Sequence, residues 1–310
     1  MKLVTLLIPC YNEEKNITLL CNELKKLSDL KVDIEVLFVD DGSKDCTWHE
    51  ILSARIALSD WAKYVRAARF TRNFGKESAF LAGLELASGD AVIFMDADLQ
   101  DPPYLIGSLI SEWQESKCKI VSAVRVKRDD TAVKIITAQV FYWLFRKLSG
   151  LDIIENSSDY RLVDRDVVHL MLDCKEKVRF SKALFAWTGY ESALIYYERA
   201  KRAGGRTKWG YWRLWNYALD GLFSTSTLPL RIWSYIGLLM MIGTSGFFIV
   251  SMCRYYSVGD TPPGYISLIA AIVFLGAVQI AGIGLLGEYL GRVYLETRQR
   301  PQYIIRDTMI

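Results

Sequence analysis

The chain has 310 residues, of which 51% are hydrophobic and 24% charged, and a formal net charge of +3. That length carries one large domain or two ordinary ones, and that charge content excludes both a disordered chain and one wholly embedded in a membrane. The small net charge gives no footing for nucleic-acid binding, and the charge is unevenly spread, residues 232–287 holding only Arg254 and Asp260.

Residues 3–9 (LVTLLIP) form a short apolar run ending at Pro9, followed by Asn12, Glu13 and Glu14. This pattern predicts a buried strand running into a loop, not a secretory leader. The body is therefore expected in the cytoplasm, with its six scattered cysteines reduced. No C-x-x-C pair occurs and only His49 and His169 are present, which argues against a zinc site or a disulfide framework. Residues 14–27 follow as a helix. Residues 34–40 (IEVLFVD) are a second strand, ending in Asp40-Asp41-Gly42-Ser43. Gly75-Lys76 opens a helix over 76–87, where backbone N–H groups and a cation can meet phosphate. Residues 90–96 (DAVIFMD) are a third strand, ending in Asp96-Ala97-Asp98-Leu99-Gln100-Asp101-Pro102-Pro103.

Strand–helix alternation predicts an α/β, doubly wound parallel sheet, whose ligands bind beyond the carboxyl ends of the strands. Three acidic strand ends then converge on one site. The body has no G-x-G-x-x-G or P-loop lysine motif, so dinucleotide and ATP binding lack support. In an extended segment, Asp96, Asp98 and Gln100 face one way. Two carboxylates and an amide oxygen suit a hard divalent cation, Mg²⁺ or Mn²⁺, that keeps positions for phosphate oxygens. Such a cation neutralises a diphosphate leaving group.

Residues 120–124 predict a further strand, followed by Arg125 and Arg128, with Lys134 at the start of an apolar, aromatic stretch over 132–148. Residues 209–223 place Trp209, Trp212, Trp215, Leu219, Leu222 and Phe223 near one face, as in a helix lying in the membrane interface. Residues 232–250 and 266–287 are uncharged runs of 19 and 22 residues. About 20 such residues cross about 30 Å of hydrocarbon, which predicts two spans, at about 232–252 and 265–288. Arg231 before them and Arg292, Arg298 and Arg300 after them put both flanks in the cytoplasm. Gly282, Gly284, Gly287 and Gly291 permit close helix approach. Alternation near 303–305 suits a strand added to a neighbouring molecule.

The set Pro9-x-Tyr11-Asn12-Glu13, Val39–Ser43, Asn73-Phe74-Gly75-Lys76 and Met95–Pro103 resembles the family 2 glycosyltransferases of GT-A, Rossmann-like fold. Ser158-Asp159-Tyr160-Arg161, Arg202–Lys208, Pro229-Leu230-Arg231, the two apolar runs and Gly287–Arg292 narrow this to the polyprenyl-phosphate glycosyltransferases. These include dolichyl-phosphate mannose synthase and, most similar, the bactoprenol glucosyltransferases of O-antigen modification. The resemblance covers essentially the whole chain. It implies a catalytic domain over 1–208, a juxtamembrane segment over 209–231, a transmembrane hairpin over 232–288 and a cytoplasmic tail over 289–310.

The resemblance places Pro9, Tyr11, Glu13 and Asp40 around the base and ribose of a UDP-sugar, with Lys76 and Asp96 also on the donor. It assigns Asp96, Asp98 and Gln100 to the metal, and Asp98 and Asp159 to catalysis. It sets Asp159 on the acceptor side, and its R-x-x-G-x-[ST]-K pattern fits Arg202 and Lys208 to the lipid phosphate; an anionic acceptor needs fixed cations, which Arg125 and Arg128 after the strand and Lys134 beyond them also supply. Arg206 departs from the pattern, since relatives usually carry an acidic residue there. Read by residue chemistry alone, Asp40 and Asp41 also serve as turn starters before Gly42. On the same terms Asp159 also serves as a partner of Arg161, and each basic residue as a solvated charge. A lipid monophosphate is already anionic, so Asp159 has more to do in aligning it than in removing a proton.

The resulting expectation is an inverting, metal-dependent transfer of a hexose, with glucose the preferred reading, from a UDP-sugar to undecaprenyl phosphate at the cytoplasmic face of a bacterial inner membrane. Relatives imply a homotetramer. Two alternatives stand beside it: a processive polysaccharide synthase and a catalytically inactive membrane scaffold of the same fold. The first is disfavoured because Gln139 is followed by Val-Phe-Tyr-Trp and not by Q-x-x-R-W. The second is disfavoured by the intact Asp96, Asp98, Gln100 and Asp159.

Overall fold

The computed structural model describes residues 1–27, 30–126, 143, 145–147, 149–151, 154, 157–177, 179–197, 228–258 and 264–309. In chain order these form β1 (Leu3–Cys10), α1 (Glu14–Lys25), β2 (Asp33–Asp40), α2 (Thr47–Ala57), β3 (Tyr64–Phe70), α3 (Lys76–Leu86), β4 (Ala91–Phe94), α4 (Leu105–Glu115) and β5 (Ile120–Arg125). There follow β6 (Ser157–Asp164), α5 (Arg165–Asp173), α6 (Ser181–Trp187), β7 (Ser192–Tyr197), α7 (Leu228–Val258), α8 (Tyr265–Thr297) and β8 (Ile305–Met309).

The strands make one sheet in the order β7-β5-β6-β4-β1-β2-β3-β8. Successive side chains of a strand point to opposite faces. Leu6 and Ile8 of β1 accordingly join a core with Ile17 and Leu20 of α1, Ile51 of α2 and Leu109 of α4. Leu7 joins the opposite core, with Phe80 of α3, Val167 of α5 and Phe185 of α6. Apolar runs buried on both faces are what a helix-covered parallel sheet requires.

The sheet is mixed, not wholly parallel as expected. β4, β1, β2 and β3 run parallel, whereas β6 is antiparallel to β4 and β5, and β8 to β3. β5 ends at the carboxyl edge of the sheet. β6 begins there, with Ser157 opposite Val124, and runs back. That reversal carries Asp159, near the start of β6, to the edge where β1, β2 and β4 end. β8 follows the same rule: Ile305 pairs with Phe70, the last residue of β3, and Met309 with Ala67. The expected strand near 303–305 thus lies on the chain's own sheet. Tyr303 stacks on Phe70 at 5.0 Å, which fixes this register.

β2 buries a carboxylate. Glu35 has no exposed surface and accepts hydrogen bonds from Thr5 Oγ1 (2.5 Å), Arg66 Nη1 (2.9 Å) and the Ser88 backbone N–H (2.9 Å). Removing one partner of a buried pair leaves the other uncompensated. Glu35→Ala is therefore expected to cost about 3 kcal/mol of stability, measurable as a lower thermal midpoint of the detergent-solubilised protein.

α7 and α8 span 31 and 33 residues and run through both apolar stretches. Among the described residues, Ala271–Thr297 is long and apolar enough to cross a membrane, and it is not buried by the rest of the chain. A Cβ at Gly282 would lie 2.2 Å from Nε1 of Trp233 on α7, whereas Gly284, Gly287 and Gly291 meet nothing within 4 Å. One glycine of the four therefore makes the expected close approach within the chain. At the end of α8 and just past it, Glu296 and the Arg300 carbonyl accept hydrogen bonds from Lys177, at 2.7 and 2.9 Å. The chain returning from the hairpin thus meets the sheet at its carboxyl edge.

Candidate active site

The ends of β1 and β2 are knitted together by local hydrogen bonds. Asn12 sits in the left-handed region (φ 55°). Its N–H donates to Ser43 Oγ and its side-chain oxygen accepts from the Lys44 N–H, both at 2.9 Å. The Glu13 N–H donates to Thr47 Oγ1 at 2.8 Å. Pro9 lies within β1, paired with Val39. Pro9, Tyr11 and Glu13 are all partly exposed along this edge.

Asp40 has no exposed surface. Its Oδ1 accepts the Ser43 N–H at 2.9 Å, and Arg69 Nε lies 3.3 Å from its Oδ2. The carboxylate shapes the Asp-Asp-Gly-Ser turn from inside. Gly42 is required in that turn, because φ is +65° and a Cβ would lie 2.3 Å from the Arg72 backbone.

Asp41 does what sequence reasoning missed. Its two carboxylate oxygens accept the backbone N–H groups of Phe74 (2.6 Å) and Gly75 (2.9 Å). The Phe74 and Gly75 amides, just before α3, are therefore taken by a carboxylate of the chain, and the position of Lys76 is fixed from β2. Burial pushes the Asp41 carboxyl up to about 6, against the lowering effect of those two N–H donors. An unfolded aspartate titrates near ~4. A raised folded value means that Asp41 favours the fold most below that pH and progressively less as pH rises to about 6. The difference in unfolding free energy between wild type and Asp41→Asn should accordingly shift by up to about 3 kcal/mol from pH 4 to pH 7. A difference independent of pH would contradict this role.

Lys76, the first residue of α3, joins two strand ends. Its Nζ is 2.7 Å from Asp96 Oδ1, just after β4, and 2.7 Å from Asp159 Oδ2 on β6. Burial would raise the Asp159 carboxyl, but Lys76, with help from Lys182, reverses this and holds it well below the usual carboxylate range. Lys76 is correspondingly held well above the usual lysine range, because Asp159 and Asp96 outweigh its burial. Lys182, in the first turn of α6, is a second cation near Asp159 that the sequence did not single out. Burial and the neighbouring Arg161 and Lys76 lower it, against the pull of Asp159. Arg161 Nη2 donates to the Ser158 carbonyl, and its guanidinium lies over the Phe185 ring.

The Asp96–Gln100 segment departs from the extended expectation. β4 ends at Phe94, and Leu99 takes a left-handed φ of 57°. A branched residue rarely adopts that backbone except where a functional loop is held by its surroundings. The turn leaves Asp96 and Asp98 partly exposed and buries Gln100, whose N–H donates to Asp98 Oδ1 at 3.1 Å. Among the described residues no group of three His, Cys, Asp or Glu could hold a metal unaided. Two carboxylates two residues apart nevertheless suit a hard divalent ion that takes its remaining oxygens from a phosphate ligand.

Asp101, buried behind this loop, accepts from Tyr197 Oη at 2.5 Å and lies 3.5 Å from Arg125 Nη2. Arg125 Nε also donates to Tyr197 Oη, at 3.2 Å. Arg125 is thus tied to the wall of the site. Arg128, Lys134, Arg202, Arg206 and Lys208 lie outside the described residues, as do the stretch 209–223 and most of 132–148.

A helix-covered α/β sheet with acidic strand ends gathered at its carboxyl edge has its ligand site at that edge. Residues 5–170 match Glycosyl transferase family 2, and residues 228–293 match the GtrB C-terminal hairpin. The chain is 42% identical over 304 residues to a prophage bactoprenol glucosyl transferase homolog of Escherichia coli, covering 98% of each chain. It is 41% identical over 314 residues to the bactoprenol glucosyl transferase of Shigella phage SfV, again covering 98% of each. It is also 41% identical over 305 residues to an uncharacterised glycosyltransferase of Synechocystis sp., covering 98% of this chain and 95% of that one. The chain therefore belongs to glycosyltransferase family 2, in the group that carries the GtrB-type hairpin, and it associates with membranes.

Proposed function

We propose that this chain transfers glucose from UDP-glucose to undecaprenyl phosphate with inversion, at the cytoplasmic face of a bacterial inner membrane. The observation that carries the reading is the meeting of Asp96, Lys76 and Asp159 at the sheet edge to which the hydrophobic hairpin returns. The names of the relatives support the sugar and the lipid.

The UDP-sugar lies along Pro9, Tyr11, Glu13 and the Asp40 turn. Asp96, Asp98 and Gln100 would hold Mg²⁺ or Mn²⁺, which when bound would supply positive charge for the departing diphosphate. Asp159 orients the lipid phosphate toward the anomeric carbon. A carboxylate held this strongly ionised has little affinity for a proton, and the acceptor phosphate, with a second pKa of about 6, is already mostly dianionic at neutral pH. Attack from the face opposite the diphosphate inverts the anomeric centre. Arg125, Arg128, Lys134, Arg202 and Lys208 supply the positive charge that meets the acceptor. Residues 232–252 and 265–288 cross the bilayer, with 209–231 at the interface and both flanks cytoplasmic. The resemblance adds a homotetramer.

The test is purified protein with labelled UDP-glucose, Mg²⁺ or Mn²⁺, and a short polyprenyl phosphate. The expected product is one acid-labile sugar per lipid. Polymer would instead indicate a processive synthase, and no turnover with any of a panel of UDP- and GDP-sugars an inactive scaffold.

A further inference from the structure

Lys76 occupies the place where a second cation is wanted. Its ammonium bridges Asp96 and Asp159 at 2.7 Å each, and the three side chains are about equally open to solvent, at 35%, 38% and 31%. The bridge is built, not incidental. Asp41 fixes the backbone at residues 74 and 75 through two hydrogen bonds, and the Lys76 ammonium lies 5.2 Å from the Phe80 ring centre one turn along α3. A divalent ion on the Asp96–Asp98 turn and an ammonium on Asp96 would be two like charges sharing one carboxylate, in a half-buried setting where repulsion is weakly screened.

We propose that Lys76 is a placeholder cation: it competes with the divalent ion for Asp96 and yields that carboxylate when the ion arrives with the donor diphosphate. This rests on the metal reading of Asp96 and Asp98 above. In the donor-free protein the ammonium lowers affinity for the bare ion. The diphosphate offers it other oxygens, so ion and donor bind cooperatively through Lys76. Coupling of this kind is reciprocal: the factor by which the donor tightens ion binding is the factor by which the ion tightens donor binding. Lys76 is a positioning residue in this scheme, keeping Asp159 paired and the site charge-balanced between turnovers.

The test is the affinity for Mn²⁺ alone, followed by electron paramagnetic resonance on the full chain in detergent, with and without UDP. Lys76→Met is expected to bind Mn²⁺ about 5- to 10-fold more tightly than wild type without nucleotide, and to lose most of the enhancement that UDP gives wild type. Lys76→Gln, which keeps a polar side chain, should tighten binding in the same direction. Lys76→Arg, which keeps the charge, should stay near wild type. Unchanged or weaker Mn²⁺ binding in both neutral variants would overturn the placeholder role. Asp98→Asn separates the two levels: loss of Mn²⁺ binding in that variant supports the metal reading, so a failure of the Lys76 variants then counts against the placeholder alone. Retained Mn²⁺ binding in Asp98→Asn contradicts the metal reading and the inference with it.

Discussion

Asp98→Asn is expected to reduce turnover by about 1,000-fold or more, roughly 4 kcal/mol of transition-state stabilisation. The substitution keeps the shape of the turn, in which Asp98 Oδ1 accepts the Gln100 N–H at 3.1 Å, because an asparagine side-chain oxygen can accept the same bond. What it removes is one of two negative charges in a five-residue segment held by the left-handed Leu99. A donor set of one carboxylate and neutral oxygens binds a hard divalent ion weakly. The loss should therefore appear in initial rates at every ion concentration, together with a rise in the Mn²⁺ needed for half-maximal rate. Activity within a few-fold of wild type would remove Asp98 from the centre.

The second large effect is expected at Asp159. Asp159→Asn should lower kcat by about 100- to 1,000-fold while leaving affinity for UDP within a few-fold, if the proposed role of Asp159 is to align the acceptor and not to hold the nucleotide. The substitution also deprives Lys76 of one of its two carboxylates. If Asp159 orients, the pH profile of the residual activity should match that of wild type. If it removes a proton, the acidic limb of the wild-type profile should vanish in the variant. The strong pull of Lys76 on this carboxyl favours the first outcome.

Much of this site was legible because apolar runs and acidic strand ends are local signals. β1, β2, β4 and β5 each show as a short hydrophobic stretch, and their ends carry the motifs. β3 did not show, because YVRAARF interrupts its apolar residues with Arg66 and Arg69. Those arginines are tolerable only because Glu35 and Asp40, some 30 residues earlier, meet them across the sheet. β6 reads as a polar motif, and only its antiparallel insertion between β4 and β5 carries Asp159 to the edge. The doublet Asp40-Asp41 was visible, but the division of labour within it was not. Asp40 turns inward to Ser43, while Asp41 reaches across to the start of α3. The extended reading of Asp96, Asp98 and Gln100 failed for a similar reason: nothing local in Asp-Ala-Asp-Leu-Gln announces a leucine with positive φ.

Inverting transfer of a hexose to a lipid phosphate is tested most directly by nuclear magnetic resonance of the purified lipid product formed from UDP-α-glucose. The expected product is a glucose joined through its C1 oxygen to the lipid phosphorus, with the large H1–H2 coupling of a β anomer. An α-linked glucosyl phosphate, or label recovered only as free glucose or polymer, would contradict it.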